Sequence, residues 1–194
     1  CSGSHDESVK VFEANTSAEI ASFSGHGKVT SVAFSPDGKL ICSGSEDTTV
    51  KVFAVGTGGE VVSFNRHSDR VTSVGFSPDG KLVCCGSNDT TVKVFEVETG
   101  IEIGSFSGHS AGVFSVAFSP DGTLICSGSF DKTVKMFTVG GDESKTHTDS
   151  KKDSRCRCYL RMELSQSRDG FVGSCIGKLH AESDGTAPAL LVSS

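Results

Sequence analysis

Short segments of alternating apolar and polar residues recur along most of the chain. The clearest set comprises four segments that follow one another closely: Val29–Phe34, Leu40–Ser45, Thr49–Val55 and Glu60–Phe64. Alternation with a period of two, together with many β-branched residues, is the pattern of a β-strand that buries one face. Each segment is therefore predicted to be one strand, the fourth being the most polar.

The connections between these segments carry turn residues. Ser35-Pro36-Asp37-Gly38 follows the first segment, Glu46–Thr48 the second and Gly56–Gly59 the third. In the first turn, Pro fixes one dihedral angle and Gly takes the left-handed conformation that closes a tight hairpin. Connections this short predict that the four strands pair in sequence order as an antiparallel sheet.

The whole four-strand pattern repeats at intervals of about 42 residues. The stretch FSPDGKLICSGSEDTTVKVF from Phe34 returns as FSPDGKLVCCGSNDTTVKVF from Phe76 and as FSPDGTLICSGSFDKTVKMF from Phe118. A shorter copy, CSGSHDESVKVF, opens the chain. Four strands per repeat at such a period are typical of β-propeller blades. The predicted fold is all-β: a partial β-propeller of about three four-stranded antiparallel blades in an open arc, with an irregular C-terminal tail.

Counting strands divides the repeats, residues 1–139, into one partial blade and three further blades. The predicted blades are 1–24 with two strands, 25–66 and 67–108 with four each, and 109–139 lacking its last strand. Such an arc has two predicted explanations. Additional blades come from a longer parent chain, of which this is a fragment, or two copies close a ring as a homodimer.

Residues 140–194 do not continue the repeat. The segment GGDESKTHTDSKKDS is polar and mixes charges, as expected of a linker. Residues 156–164 then alternate like a strand, which could supply the missing fourth strand of the last blade. Cysteines and histidines of this tail are zinc-ligand types, but their spacing matches no common site, so no metal or cofactor is predicted.

The net charge indicates which class of partner to expect, and the positions of the cysteines indicate the cellular compartment. The formal net charge is −6, and the repeats carry all of it. Nucleic acid and anionic membranes are therefore not expected partners. Cys1, Cys42, Cys84 and Cys126 occupy one repeat position inside an apolar strand, where Cys acts as a small buried residue. We expect reduced thiols and an intracellular location, cytoplasmic or nuclear.

The recurring motifs resemble those of the Trp-Asp (WD) repeat β-propeller family. They are the pairs Gly25-His26 and Gly108-His109, the SPDG turns, the SGS-x-D-x-T segments and the V-K-V-F strand ends. The resemblance covers roughly residues 1–139. In that family the motif aromatic is usually Trp, and here it is Phe12, Phe53, Phe95 and Phe137.

The resemblance implies a buried hydrogen-bond relay of histidine, strand hydroxyl, turn aspartate and Trp in each blade. The relay residues carried over are His26, Ser43 and Asp47; His67 and Asp89; and His109, Ser127 and Asp131. The second blade has Cys85 where the others have the hydroxyl, and Arg66 where they have the Gly before histidine. Because Phe has no indole N–H, each relay loses one hydrogen bond, worth about 1 kcal/mol.

These histidine, aspartate and serine sets also imitate a hydrolase triad. They occur three times at one repeat position, without a nucleophile turn or oxyanion donors, which favours a structural role. No phosphate-binding loop or paired-carboxylate pocket is present in the repeats. No catalytic residue is predicted.

Positions that differ between repeats predict where partners bind, because a repeat scaffold keeps its core and varies its binding face. Six of them form the predicted partner-binding rim: Lys28, Glu46, Arg70, Asn88, Phe114 and Phe130. Phe114 and Phe130 stand where other repeats have polar residues, and apolar anchors beside an arginine are typical of interface hot spots. The alternative is that the two rings pack on each other or on the tail.

The predicted function is a non-catalytic scaffold that binds peptides or domains of other proteins on the propeller rim. One alternative is the regulatory or targeting part of a larger enzyme or ligase complex whose catalytic part lies elsewhere. Another is a truncated product without a role of its own. The fold alone does not distinguish pathways, because propellers serve many of them.

Overall fold

The computed structural model describes residues 1–140 in full, and the backbone of 147–148, 162–167 and 170–175. The chain forms two compact units, Cys1–Asp149 and Ser150–Ser194. All regular elements in the described ranges are strands. These ranges accordingly contain no helix with the length and apolar character to cross a membrane.

The described residues of the first unit form four sheets, in each of which strands adjacent in sequence pair antiparallel. The partial blade consists of β1 (Ser2–Gly3), β2 (Val9–Phe12) and β3 (Glu19–Phe23). The first full blade consists of β4 (Val29–Phe34), β5 (Leu40–Ser45), β6 (Val50–Ala54) and β7 (Glu60–Phe64). The second consists of β8 (Val71–Phe76), β9 (Leu82–Ser87), β10 (Val92–Glu96) and β11 (Glu102–Phe106). The third consists of β12 (Val113–Phe118), β13 (Leu124–Ser129), β14 (Val134–Thr138) and β15 (His147–Thr148). The prediction of an all-β partial propeller is confirmed.

Two strand counts differ from the prediction. The partial blade has three strands, because Ser2–Gly3 pairs with β2. The last blade has a fourth strand, because Lys135 pairs with Thr148 and Met136 with His147. Residues 109–139 themselves contain three strands, and the fourth strand of this sheet comes from residues 147–148, beyond that range. The added strand lies in the polar segment, where backbone pairing occurs without the apolar alternation that marks the other strands.

The second unit contains one described hairpin. Its strands are β16 (Met162–Ser167) and β17 (Gly170–Cys175), which pair antiparallel along their full length. β16 begins inside the alternating stretch 156–164, and the earlier part of that stretch lies outside the described residues. In the described residues the outer neighbour of β14 is β15, so residues 147–148 take the position that this stretch could have supplied.

The SPDG turns close the hairpin between the first two strands of each full blade. In the first, the Ser35 hydroxyl donates to Asp37 at 2.6 Å and accepts from the Leu40 N–H at 2.9 Å. Gly38 has a φ of 72°, which only glycine adopts without strain. At the turn, where the two strands no longer pair through their backbones, these side-chain hydrogen bonds hold the chain. The same contacts recur in the other two full blades.

The core lies between blades. Three clusters of buried apolar side chains each combine residues from the facing sides of two neighbouring sheets. Each contains a stacked phenylalanine pair: Phe23 with Phe53, Phe64 with Phe95, and Phe106 with Phe137, at centroid distances of 4.4–4.8 Å. The motif phenylalanine of one blade thus packs on the outer strand of the blade before it.

Neighbouring blades approach most closely at a glycine in the second strand. A methyl group at Gly44 would come within 2.6 Å of Val71 Cγ1 and 2.9 Å of Val74 Cγ1 in the next blade. Beside this contact, the single hydrogen of the Thr30 hydroxyl is shared between the Val71 carbonyl at 2.6 Å and the Gly44 carbonyl at 2.9 Å. The same close contact and threonine hydrogen bonds recur one blade later, at Gly86, Thr72 and Val113.

We predict that Gly44→Ala lowers the free energy of unfolding by about 1–3 kcal/mol, because the added methyl group would force the two sheets apart. Urea unfolding followed by circular dichroism measures the change. Gly56→Ala is the matched control, because Gly56 has no atom within 4 Å of its would-be methyl group. Equal stability of the two variants would contradict the close packing described above.

Candidate protein-interaction edge and the buried histidine relay

Antiparallel pairing places the connections of each blade alternately at two edges. The SPDG turn and the turn between third and fourth strands lie at one edge. The turn between second and third strands and the segment leading into the next sheet lie at the other. We call this second edge the histidine edge, because it carries the Gly-His loop and the turn aspartate.

The third full blade shows the relay in its complete form. His109 is buried, and its Nδ1 lies 2.8 Å from Asp131 Oδ2. Its Nε2 lies 2.8 Å from the Ser127 hydroxyl, and Asp131 also accepts from the Ser110 N–H at 3.0 Å. Because a carboxylate only accepts, Nδ1 carries the ring proton and Nε2 accepts from the serine. The imidazole therefore ties the loop, the turn and the second strand together.

The first full blade has the same relay with looser geometry. His26 Nε2 lies 2.7 Å from the Ser43 hydroxyl, but Nδ1 lies 3.4 Å from Asp47 Oδ2. The Thr49 hydroxyl lies 3.1 Å from the same nitrogen and donates to Asp47 Oδ1 at 2.6 Å. Asp47 also accepts from the Gly27 N–H. The threonine thus bridges imidazole and carboxylate, a role that the sequence analysis missed although the motif contains it.

In the second full blade the relay contains a cysteine thiol in place of the serine hydroxyl. His67 Nδ1 lies 2.8 Å from Asp89 Oδ2, and Nε2 lies 3.1 Å from Cys85 Sγ. This resembles a cysteine-protease triad in composition. Burial raises the pKa of the Cys85 thiol well above its ordinary value, so it stays protonated and non-nucleophilic. The thiol is fully buried, which leaves no room for a substrate.

The motif phenylalanine lies beside the relay without joining it. The Phe53 ring meets the His26 ring edge-on at 6.2 Å between centroids, and Phe137 meets His109 at 6.5 Å. Such contacts are apolar packing, because a phenyl ring offers no hydrogen-bond donor. The relay therefore ends at the serine or cysteine.

Burial controls the protonation of the relay. It lowers the pKa of His26 and of His67, and the nearby carboxylates only partly oppose it. Burial also raises the pKa of Asp47, but hydrogen bonds from Thr49 and from the Gly27 N–H outweigh it and hold the pKa at about 2. At neutral pH the first two relays accordingly pair a neutral imidazole with an ionised carboxylate.

The predicted rim residues lie along the histidine edge. The Glu46 N–H donates to the Lys28 carbonyl at 2.9 Å, and the Asn88 N–H donates to the Arg70 carbonyl at 3.0 Å. Side chains extend this row across blades. Glu46 lies 3.9 Å from Lys28 and 3.7 Å from Arg70. With its amide oriented to satisfy both groups, Asn88 accepts from Arg70 Nε at 2.9 Å.

The row continues to an apolar end in the third blade. The Phe130 N–H donates to the Gly112 carbonyl at 3.0 Å, and a methyl group at Gly112 would lie 2.8 Å from the side-chain amide of Asn88. Phe130 is 64 % exposed, and its ring centroid lies 5.5 Å from that of Phe114. The alternative that the two rings pack on each other is thus what the structure shows. Among the described residues, no group of side chains has the composition and spacing of a metal site.

Comparison with known families assigns the repeats. The family model for "WD domain, G-beta repeat" (WD40) matches residues 17–53, 58–96 and 100–138, together more than half of the chain. The chain belongs to the WD40 repeat family. No curated protein matches the chain significantly. Each WD40 match begins at or just before the outer strand of one sheet and ends with the third strand of the next. One repeat of the sequence therefore covers parts of two neighbouring blades. WD40 repeats are generally protein-interaction modules.

We predict that the free energy of unfolding decreases as the pH falls from about 7.5 to about 5. The ordinary histidine pKa is 6.5, so the unfolded chain takes up protons in this range. The folded chain takes up fewer, because the pKa values of His26 and His67 are lowered. Stability is therefore lost on acidification.

Urea unfolding at constant ionic strength measures this dependence. His67→Gln should reduce the pH dependence, and His5→Gln, which removes an exposed histidine outside the relay, is the control. An unfolding free energy that stays constant or rises toward the lower pH would show that the imidazoles are not buried as described.

Proposed function

We propose that these WD40 blades form a non-catalytic module that holds a peptide or domain of another protein along the histidine edge. The observation that carries the proposal is the continuous row from Lys28 through Glu46, Arg70 and Asn88 to the exposed Phe130. It combines an exposed aromatic anchor with basic and amide groups, the composition of interface hot spots.

The charges in the row indicate the chemistry of the partner. Arg70 is 47 % exposed at its side chain and pairs with Glu46 only at 3.7 Å. Ion pairs this exposed contribute little, so the guanidinium can exchange its partner for a carboxylate of the bound protein. We propose that the bound segment places an apolar side chain on Phe130 and an acidic side chain toward Arg70.

Gly112 lets the second and third blades lie close together at this edge. Lys28 and Arg70 occupy the corresponding position in the first and second full blades, whereas a methyl group at Gly112 would lie 2.8 Å from the side-chain amide of Asn88. The row therefore continues without a gap from the second blade to the third. Phe114 packs against Phe130 and supports its ring from behind.

The buried thiols of Cys42, Cys84 and Cys85 are unbridged, which supports an intracellular location for this module. Cytoplasm and nucleus both maintain reduced thiols, so either compartment fits. The negative charge of the blades supports a protein partner over nucleic acid.

We predict that Phe130→Glu weakens partner binding by about 30-fold or more, the effect of losing an interface hot spot worth about 2 kcal/mol. The full chain, immobilised, captures proteins from a cell extract, and quantitative mass spectrometry compares the wild type with the variant. Ile101→Glu is the matched control, because Ile101 is equally exposed but lies at the opposite edge of the second blade.

Proteins retained by the wild type and by Ile101→Glu, but lost with Phe130→Glu, support the proposal. Far-UV circular dichroism of all three chains checks that the fold is unchanged. Equal retention by all three would remove Phe130 from the binding site.

A further inference from the structure

The third full blade departs from its neighbours on the side that faces away from them. In the first and second full blades, Thr30 and Thr72 donate to a carbonyl of the next blade. The third blade has Phe114 at this position, which has no hydroxyl to donate. At this position the third blade therefore has no side chain that can donate the corresponding hydrogen bond to a following blade.

The second-strand glycine shows what takes its place. At Gly44 and Gly86 the atoms nearest to a would-be methyl group are valine methyl carbons of the following blade, at 2.6–2.9 Å. At Gly128, the equivalent position, they are ring atoms of Phe114, at 3.1 and 3.3 Å. Since the pairing of these strands is the same in all three blades, the Phe114 ring occupies the space that belongs to the next blade's valines.

The neighbouring ring holds Phe114 in this position. Phe130 lies 5.5 Å from it at an angle of 58°, a tilted arrangement that aromatic pairs favour. Both phenylalanines are specific to the third blade, since the same positions hold threonine with Glu46 or Asn88 in the other two. Further out on the same face, Val134 remains 41 % exposed, whereas its equivalent Val92 is fully buried. The two rings thus cover the inner part of the face, where sheets approach most closely.

We propose that Phe114 is an end cap of the blade array. It closes, from within its own blade, the face on which a further WD40 blade would stack, and Phe130 braces it. A following blade, from this chain or from a second copy, has to displace the Phe114 ring before its valines reach Gly128. The proposal concerns the end of the array and does not depend on which protein binds the histidine edge.

Nuclear magnetic resonance of the full chain tests the position of the ring directly. The α-hydrogen of Gly128 that points at the ring should resonate upfield of the corresponding hydrogens of Gly44 and Gly86, and Phe114→Thr should abolish the difference. Phe114→Leu keeps an apolar side chain without the ring current. It serves the same purpose if the threonine variant does not fold.

A double-mutant cycle tests the packing. Gly128→Ala should shift the unfolding equilibrium about tenfold less in the Phe114→Thr background than in the wild type, the scale of one aromatic contact. Gly44→Ala, in a blade that Phe114 does not touch, should cost the same in both backgrounds. A Gly128 shift like those of Gly44 and Gly86 in the wild type, or an equal cost of Gly128→Ala in both backgrounds, overturns the proposal.

Discussion

A buried imidazole holds together parts of each full blade that sheet pairing does not join. Backbone hydrogen bonds connect the strands, and at the histidine edge the loop entering the blade and the turn after the second strand share one further backbone bond, such as Phe130 N–H to the Gly112 carbonyl. His109 connects them with two hydrogen bonds of 2.8 Å, one to Asp131 and one to Ser127. Buried polar networks of this kind are stable only when every member has a partner, and no buried side-chain polar atom in the described residues lacks one.

This internal bonding explains why binding residues can vary beside it. Glu46 and Asn88 immediately precede the turn aspartates of their blades, and Lys28 follows His26 by two residues. The relay and the backbone bonds between these segments fix the main chain, so the neighbouring side chains can change without loss of the fold. The row that results runs from basic and acidic groups in the first full blade to an aromatic group in the third. Recognition and folding therefore use adjacent positions of the same segments.

Repetition made most of the fold predictable. Alternation and the SPDG turns placed strands such as β4, β5 and β7 at their observed bounds, because each of these strands buries one face and ends at a turn. The relay partners followed from the family resemblance. The bridging role of Thr49 did not, although the residue belongs to the recurring motif, because its contact joins a turn to a loop that lies 23 residues earlier in the chain.

Contacts without a repeat counterpart were not predictable in the same way. β15 consists of polar residues that pair through their backbone, so its sequence carries no signal of a strand. The sequence did mark Phe114 and Phe130 as unusual, but it left open whether they bind a partner or each other. The Phe114 ring also lies against Gly128, which has the same identity in every blade and a different neighbour in this one.

The tautomer of the three relay histidines tests the central claim most directly. Nitrogen-15 resonance of the full chain at about pH 8, where histidine is ordinarily neutral, reports which ring nitrogen carries the proton. The relay predicts a protonated Nδ1 in His26, His67 and His109, with a slowly exchanging Nδ1–H signal for each. Averaged, rapidly exchanging signals, or protons on Nε2, would show that these side chains do not hold the histidine edge together.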